Sequence, residues 1–380
     1  MLHNENGLLF KDGQPFRHIG VNGYELFFKY GQGYDTNPPI WKRGLDLIAS
    51  YNIKVCRTIL LGPEVHHWPA YFLDPTAYKT KIQAFLDYAA SMDVQIVATL
   101  CPNWQALPDR FNERMQDWLN PASATRVQFQ NVITDIVTAF KDHPAVGAWE
   151  MGNEWNTELD YRQSYNGDLD GLPKVGTYTR ASYQHPEDSY TTERYLAALN
   201  AFISAVKAID MSNRLLMTGN NLADPYGYGM NRAAARVLVE SPTNINTLDF
   251  HGYINPSLTP GRFWAPDSRG MESVLRYWTH RAYQRGQVFV LGEFGVDADS
   301  TYTALNQDHR AIFEKMIKAI ELSHTPLSMA WTVHDPAVFA ADNRVQTTIN
   351  WCMWPGSNKE FQLALIKEAN DRIALDKSRF

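Results

Sequence analysis

Cysteine is scarce. Only three of the 380 residues, Cys56, Cys101 and Cys352, are cysteines, and none belongs to a CxxC pair. So few and so widely spaced, they exclude a disulfide framework and a thiolate metal knuckle and read as free thiols. Cys56, inside an apolar run, reads as a small core hydrophobe. Positive charge is short as well. The 35 Lys and Arg are outnumbered by 41 Asp and Glu, the formal net charge is −6, and no basic run occurs. A phosphate backbone meets no complementary field here, so nucleic acid is excluded as a partner. No apolar run approaches the roughly 18 residues that cross a bilayer, so no membrane partner is expected. The opening residues, Met1-Leu2-His3-Asn4-Glu5-Asn6, lack the charged-then-apolar order of an export leader. Lacking that order, the chain is expected in the cytoplasm, or as a secreted or periplasmic protein whose leader was removed. Internal repeats beyond a strand-helix unit, low-complexity tracts and Pro/Gly/Ser linkers are missing too, and residues 1–380 are read as one domain.

What the chain does have is a rhythm. Gly7 to Phe16 reads as a short N-terminal hairpin turning at Asp12-Gly13. Eight strand-like apolar runs then recur: Phe16 to Val21, Ile53 to Leu60, Val94 to Leu100, Val146 to Trp149, Leu215 to Thr218, Leu248 to Phe250, Phe289 to Leu291, and Leu327 to Trp331. Between them lie segments with one apolar face, such as Ile82, Phe85, Leu86, Ala89 and Phe313, Met316, Ile317, Ile320. Eight strands alternating with helices predict an α/β fold, a closed (β/α)₈ TIM barrel. The longest break in the rhythm, residues 156 to 190, reads as a long loop after strand four that shapes a cleft.

In such a barrel catalysis sits at the C-terminal ends of the strands. Almost every run ends in polar or aromatic residues: Asn22, then Asn103-Trp104, Asn153-Glu154, Asn220-Asn221, His251 and Tyr253, Glu293, and Trp331 with His334; Arg57 lies within run two. Singly, each has a plain structural reading, Arg57 as a rim ion pair and Trp331 as core. Together, two strand-borne glutamates about 140 residues apart suggest paired-carboxylate chemistry, most commonly glycoside hydrolysis.

In order, Gly20-Val21-Asn22, Arg57, Asn153-Glu154, His251-Gly252-Tyr253, Glu293-Phe294-Gly295 and Trp331 resemble clan A glycoside hydrolases, most closely glycoside hydrolase family 5, over roughly residues 7 to 335. The resemblance implies a retaining β-glycosidase with Glu154 as general acid/base and Glu293 as nucleophile. On that reading Arg57 and the Tyr253 hydroxyl lower the pKa of Glu293, while burial among Trp149 and Trp155 and the charge of Glu293 raise that of Glu154. The resemblance further implies that Asn153 holds the sugar 2-hydroxyl, His251 sits between the carboxyl groups, and Trp331 is a stacking floor. Asn22, Asn103 and Trp104 join the substrate-binding set. Trp155 stands where many members have proline, and Asn103-Trp104 with Asn22-Gly23-Tyr24 is similar to the β-mannanase branch.

The expected activity is therefore cleavage of β-1,4-linked oligo- or polysaccharides, first as an endo-β-1,4-mannanase, with a β-1,4-glucanase or an exo-acting β-glycosidase as alternatives. Trp68, Trp264 and Trp354 are further candidate subsite rings. His66-His67 and His334-Asp335 lack a third ligand at suitable spacing, so no metal and no cofactor is expected. A silent glycan-binding barrel would have lost one glutamate, and a Schiff-base barrel would want a strand-end lysine, whereas Lys54 opens its strand. A transglycosylase would use the same residues as a hydrolase.

Overall fold

The structure is a computed structural model that describes residues 1–24, 26–33, 38–61, 69–101, 104, 106–156, 191–221, 244–253, 268–296, 308–335 and 351–376. The expected hairpin gains a strand. β1 (Leu2–Glu5), β2 (Leu8–Lys11) and β3 (Gln14–Pro15) form a three-stranded antiparallel sheet. Its turns, Asn6-Gly7 and Asp12-Gly13, have positive φ at both residues, the twist that suits a tight hairpin.

Eight strands follow: β4 (His18–Asn22), β5 (Val55–Ile59), β6 (Gln95–Thr99), β7 (Val146–Glu150), β8 (Leu215–Met217), β9 (Thr247–His251), β10 (Val288–Phe294) and β11 (Leu327–Ala330). They pair in parallel in the order β8-β7-β6-β5-β4-β11-β10-β9. Closure between β8 and β9 is made largely by side chains. Asn246 and Asp249 accept from the backbone N–H groups of Leu216 and Thr218 at 2.7 and 2.9 Å, and His251 N–H bonds Asn220 O at 2.7 Å. All eight expected runs are strands of this barrel.

Among the described residues the principal helices are 40–50, 75–91, 124–140, 192–207, 268–284, 309–323 and 360–375. Several begin on a side-chain cap: Asp74, Ser123, Thr191 and Asp308 each accept a backbone N–H of the first turn. The predicted apolar faces, including Ile82, Phe85, Leu86 and Ala89, are buried against the outside of the barrel.

Successive side chains alternate inward and outward along each strand. The outward set, such as Cys56, Ile96, Trp149 and Phe289, joins the helices in the larger core. The inward set, Val55, Val97, Ala148, Leu215, Val288, Val290, Leu327 and Met329, forms a second core sealed from below by Leu2 and Leu9 of the N-terminal sheet. Two residues further along the same strands the inward positions change character, to Arg57, Thr99 and Glu150, with Asn22 beside them on β4. The barrel is thus apolar below and polar above.

At the lower end His18 is buried, stacks on Phe16 at 5.3 Å, and accepts the Lys54 backbone N–H at 2.8 Å, which requires a neutral ring. Burial pushes its pKa down to about 3. A folded value below the unfolded one contributes stability above about pH 6.5 that is lost as pH falls toward 3. In urea unfolding between about pH 6 and 4, the wild type should lose roughly 1.4 kcal/mol per pH unit more than His18→Gln. Parallel slopes would mean that His18 takes up its proton in the folded state.

Candidate active site

Arg57 is the centre of the upper layer. Its guanidinium is fully buried and reaches four side chains: Nε to Glu150 Oε2 at 2.7 Å, Nη1 to Glu293 Oε1 at 2.7 Å and Asn22 Oδ1 at 3.0 Å, and Nη2 to Asn153 Oδ1 at 2.9 Å. Burial works against its charge, but Glu150 and Glu293 outweigh burial and hold the pKa above the ordinary value. Asn22 is pinned in turn, donating to Gly292 O at 3.1 Å and Met329 O at 3.2 Å.

Glu293 points inward because β10 is irregular. Val288 and Val290 face in while Phe289 and Leu291 face out, so strict alternation would turn Glu293 outward. The pairing of β10 with both neighbours shifts register after Leu291, and the bulge re-aims the carboxyl into the barrel. Gly292 makes room: a Cβ there would lie 2.9 Å from His251. The Tyr253 hydroxyl donates to Glu293 Oε2 at 2.5 Å.

Glu154 is placed by backbone. Its φ is +53°, a conformation non-glycine residues rarely adopt, and its N–H donates to Gly219 O at 2.7 Å. Gly219, with φ +69°, is obligatory, since a Cβ would meet Gly152 O at 2.0 Å. Asp249 fixes that turn by accepting the Thr218 and Gly219 N–H groups. Asn156 and Asn221 exchange two hydrogen bonds of 2.6 and 2.7 Å, locking the segments after β7 and β8 together. Asn221 Nδ2 then donates to Glu154 Oε1 at 2.9 Å.

His251 joins the two carboxyl groups. Nδ1 lies 2.9 Å from Glu154 Oε1 and 3.3 Å from Glu293 Oε1, and burial lowers its pKa to about 3, so the ring is neutral. Nε2 is buried without a hydrogen-bond partner, which assigns the proton to Nδ1 and the lone pair to the apolar side. Donor-type atoms of Glu154, His251 and Glu293 all lie within 4.8 Å of one another, a set of ligand types that could hold a metal ion. In this arrangement the Nδ1–H is already shared between the carboxylates.

The profile of the cellulase family, glycosyl hydrolase family 5, matches residues 9–357. The chain belongs to glycosyl hydrolase family 5. It is a glycosidase. A search of curated sequences finds no match. Among solved structures, the chain resembles the endo-1,4-β-mannanase of Rhizomucor miehei, with 17% identity, coverage of 99% of this chain and 100% of that one, and a TM-score of 0.65. A family 5 mannosidase from the same organism gives 13%, 99%, 98% and 0.66. XacCel5A in complex with cellopentaose gives 15%, 93%, 99% and 0.57. At these identities the likeness speaks to the fold.

Of the residues expected at this family 5 site, Asn22, Arg57, Asn153, Glu154, His251, Tyr253 and Glu293 form one connected network. Trp331 stands at its edge, its ring 5.2 Å from Tyr24. Asn103, Trp68, Trp264, His66-His67 and residues 157–190 lie outside the described residues. Three expectations need correction. Trp104 is 7% exposed and packed in the core, its carbonyl accepting from Trp118, so it is not a stacking platform. Trp149 faces outward and donates to Asp210, and Trp155 packs against Trp118 and Phe129, so Glu154 does not take its burial from these rings. Glu293 is not brought below the ordinary carboxylate value: burial raises both it and Glu154. Arg57 at 2.7 Å and the Tyr253 hydroxyl still make Glu293 the better supported anion of the two.

The expected set omitted Glu150 and Trp351, whose ring lies 5.3 Å from Tyr253, and gave the strand-end Asn221 no role. Glu150 had a signal, a charge closing the apolar run Val146-Gly147-Ala148-Trp149. Trp351 had none.

Gly219→Ala should cost about 2 kcal/mol or more from strain and the contact with Gly152, and lower glycosidase activity well beyond the loss of folded protein. Gly356→Ala, at φ +80° but in open space, is the control and should keep its activity. Equal behaviour of the two variants in thermal melts and assays would show that the Gly219 turn does not place Glu154.

Proposed function

We propose that the chain is a retaining β-glycosidase acting on β-1,4-linked glycans, with Glu293 as nucleophile and Glu154 as general acid/base in one catalytic domain. The observation that carries this is the approach of the two carboxylates, whose nearest ligand-type atoms fall within 4.8 Å. Retaining sites hold their carboxyl groups about 5–5.5 Å apart, whereas inverting ones need about 6.5–9.5 Å to admit a water.

In the first step Glu293 attacks the anomeric carbon as the bond to the leaving oxygen breaks, and Glu154 gives that oxygen its proton. In the second, Glu154 takes a proton from water, which attacks the anomeric carbon and frees Glu293. Arg57 and Tyr253 receive the Glu293 charge as it returns, and neutral His251 holds Glu154 through Nδ1–H. Asn153 Oδ1 accepts from Arg57, which turns its amide NH₂ toward a substrate hydroxyl, a contact that strengthens as the sugar becomes oxocarbenium-like.

For substrate, an endo-β-1,4-mannanase is the first reading, supported by the Asn22-Gly23-Tyr24 pattern and by neighbours described as a mannanase and a mannosidase. A β-1,4-glucanase is the second, favoured by the likeness to a structure holding cellopentaose.

Reducing-sugar release is to be measured on glucomannan, galactomannan, carboxymethylcellulose, mixed-linkage β-glucan, xylan and aryl β-glycosides. Glu293→Ala should lose roughly a thousandfold or more on the polymer that the wild type cuts; full activity in this variant sinks the assignment. Glu154→Gln should fail on polymers yet still release dinitrophenolate from an activated aryl glycoside in a first-turnover burst, since that leaving group needs no proton. It should also lose the alkaline limb of the pH profile. An intact alkaline limb would remove Glu154 from the role of acid.

A further inference from the structure

Glu150 lies at the end of β7, four residues before Glu154, and is fully buried. Its Oε2 accepts from Arg57 Nε at 2.7 Å and from the Thr99 hydroxyl, while Oε1 is buried without a hydrogen-bond partner. Nothing in the reaction above uses this carboxyl group. It nonetheless shares one cation with the group that reaction uses most.

A guanidinium is planar, so fixing the direction of Nε–H fixes the plane and with it the aim of Nη1 at Glu293 and Nη2 at Asn153. It also carries a single charge for two carboxylates, with Glu150 and Glu293 each 2.7 Å away. The more fully Glu150 is ionised, the less of that charge is left for Glu293.

We propose that Glu150 is a positioning residue that acts through Arg57, setting both the aim of the guanidinium and the ease with which Glu293 ionises. This rests on the reading of Glu293 as nucleophile. The groups facing Glu150 are Arg57 from β5, Thr99 from β6 and Asp249 from β9; Glu293 faces it across Arg57. Burial, with Asp249 adding to it, raises Glu150 against the pull of Arg57 and Thr99. Glu293 is faced by His251, Arg57, Glu154 and Tyr253, of which Arg57 alone also touches Glu150.

The test is a pH titration of the Glu293 carboxyl carbon by NMR in protein labelled with δ-¹³C glutamate, the resonance being assigned by its disappearance in Glu293→Gln. Glu150→Gln keeps an acceptor for Arg57 and removes the charge, so the Glu293 midpoint should fall by about one pH unit. Thr99→Val removes a hydrogen bond that favours ionised Glu150 and should move the midpoint in the same direction by less. A midpoint that stays within about 0.2 unit of wild type, or rises, in variants with native circular dichroism overturns the proposal, because a mere counter-ion in the fold would leave Glu293 unchanged. If Glu150→Gln does not fold, the sign of the Thr99→Val shift decides. The reading of Glu293 as nucleophile fails separately, through full activity of Glu293→Ala, and that result leaves the titration untouched.

Discussion

A fully buried arginine is the constraint on which the upper barrel depends. Taking a guanidinium out of water is costly unless its N–H groups are matched by acceptors and its charge by anions. Arg57 meets both demands through four side chains from three strands, with Asn22 from β4, Glu150 from β7, Asn153 just beyond it, and Glu293 from β10. None of these residues could become apolar without orphaning another. The network therefore fixes the mouth of the barrel as firmly as the apolar layer fixes its base, and it does so with groups that have chemistry to perform.

The architecture was legible in the sequence because a parallel barrel is buried on both faces. Continuous apolar runs such as Val94 to Leu100 mark strands, and helical stripes such as Phe313, Met316, Ile317 and Ile320 mark what covers them. Strand-end polar residues were legible for a related reason, since nothing in a core calls for His251 or Glu293 there. Direction was not legible. Whether Trp149 or Glu150 faces inward depends on the register of β7, and the inward turn of Glu293 depends on a bulge that the glycine at 292 permits without announcing. Trp104 reads as a substrate-binding ring at a strand end and is core. Trp351 lies beyond the last strand of the barrel, and only packing brings it to Tyr253.

Glu154, the proposed acid, is placed by different physics from Glu293, the proposed nucleophile. Glu293 sits on a strand and is held by charge. Glu154 sits beyond a strand end in a left-handed backbone conformation that costs of order 1–3 kcal/mol. The surrounding structure compensates with the Gly219 carbonyl, the Asn156–Asn221 pair and the Asp249 turn, all supplied by β8, β9 and the segments after them. This is also where the barrel closes with the fewest backbone bonds. Side chains that complete the closure, Asp249 above all, are the ones that seat Glu154, so closing the barrel and positioning that carboxyl group are one structural event.

A division of environments follows from this. Both carboxyl groups are raised by burial, yet the proposed reaction needs one ionised and one protonated. Burial alone would favour the proton on Glu293, whose side chain is 6% exposed against 28% for Glu154, and neutral His251 touches both through the same Nδ1–H. What separates them is hydrogen-bond partners: an arginine cation and a phenol for Glu293, and an asparagine amide for Glu154. On the proposed roles the proton is held on Glu154 because Arg57 bonds Glu293 directly at 2.7 Å and acts on Glu154 only through space, so the position of Arg57 on β5 favours Glu293 as the anion of the pair.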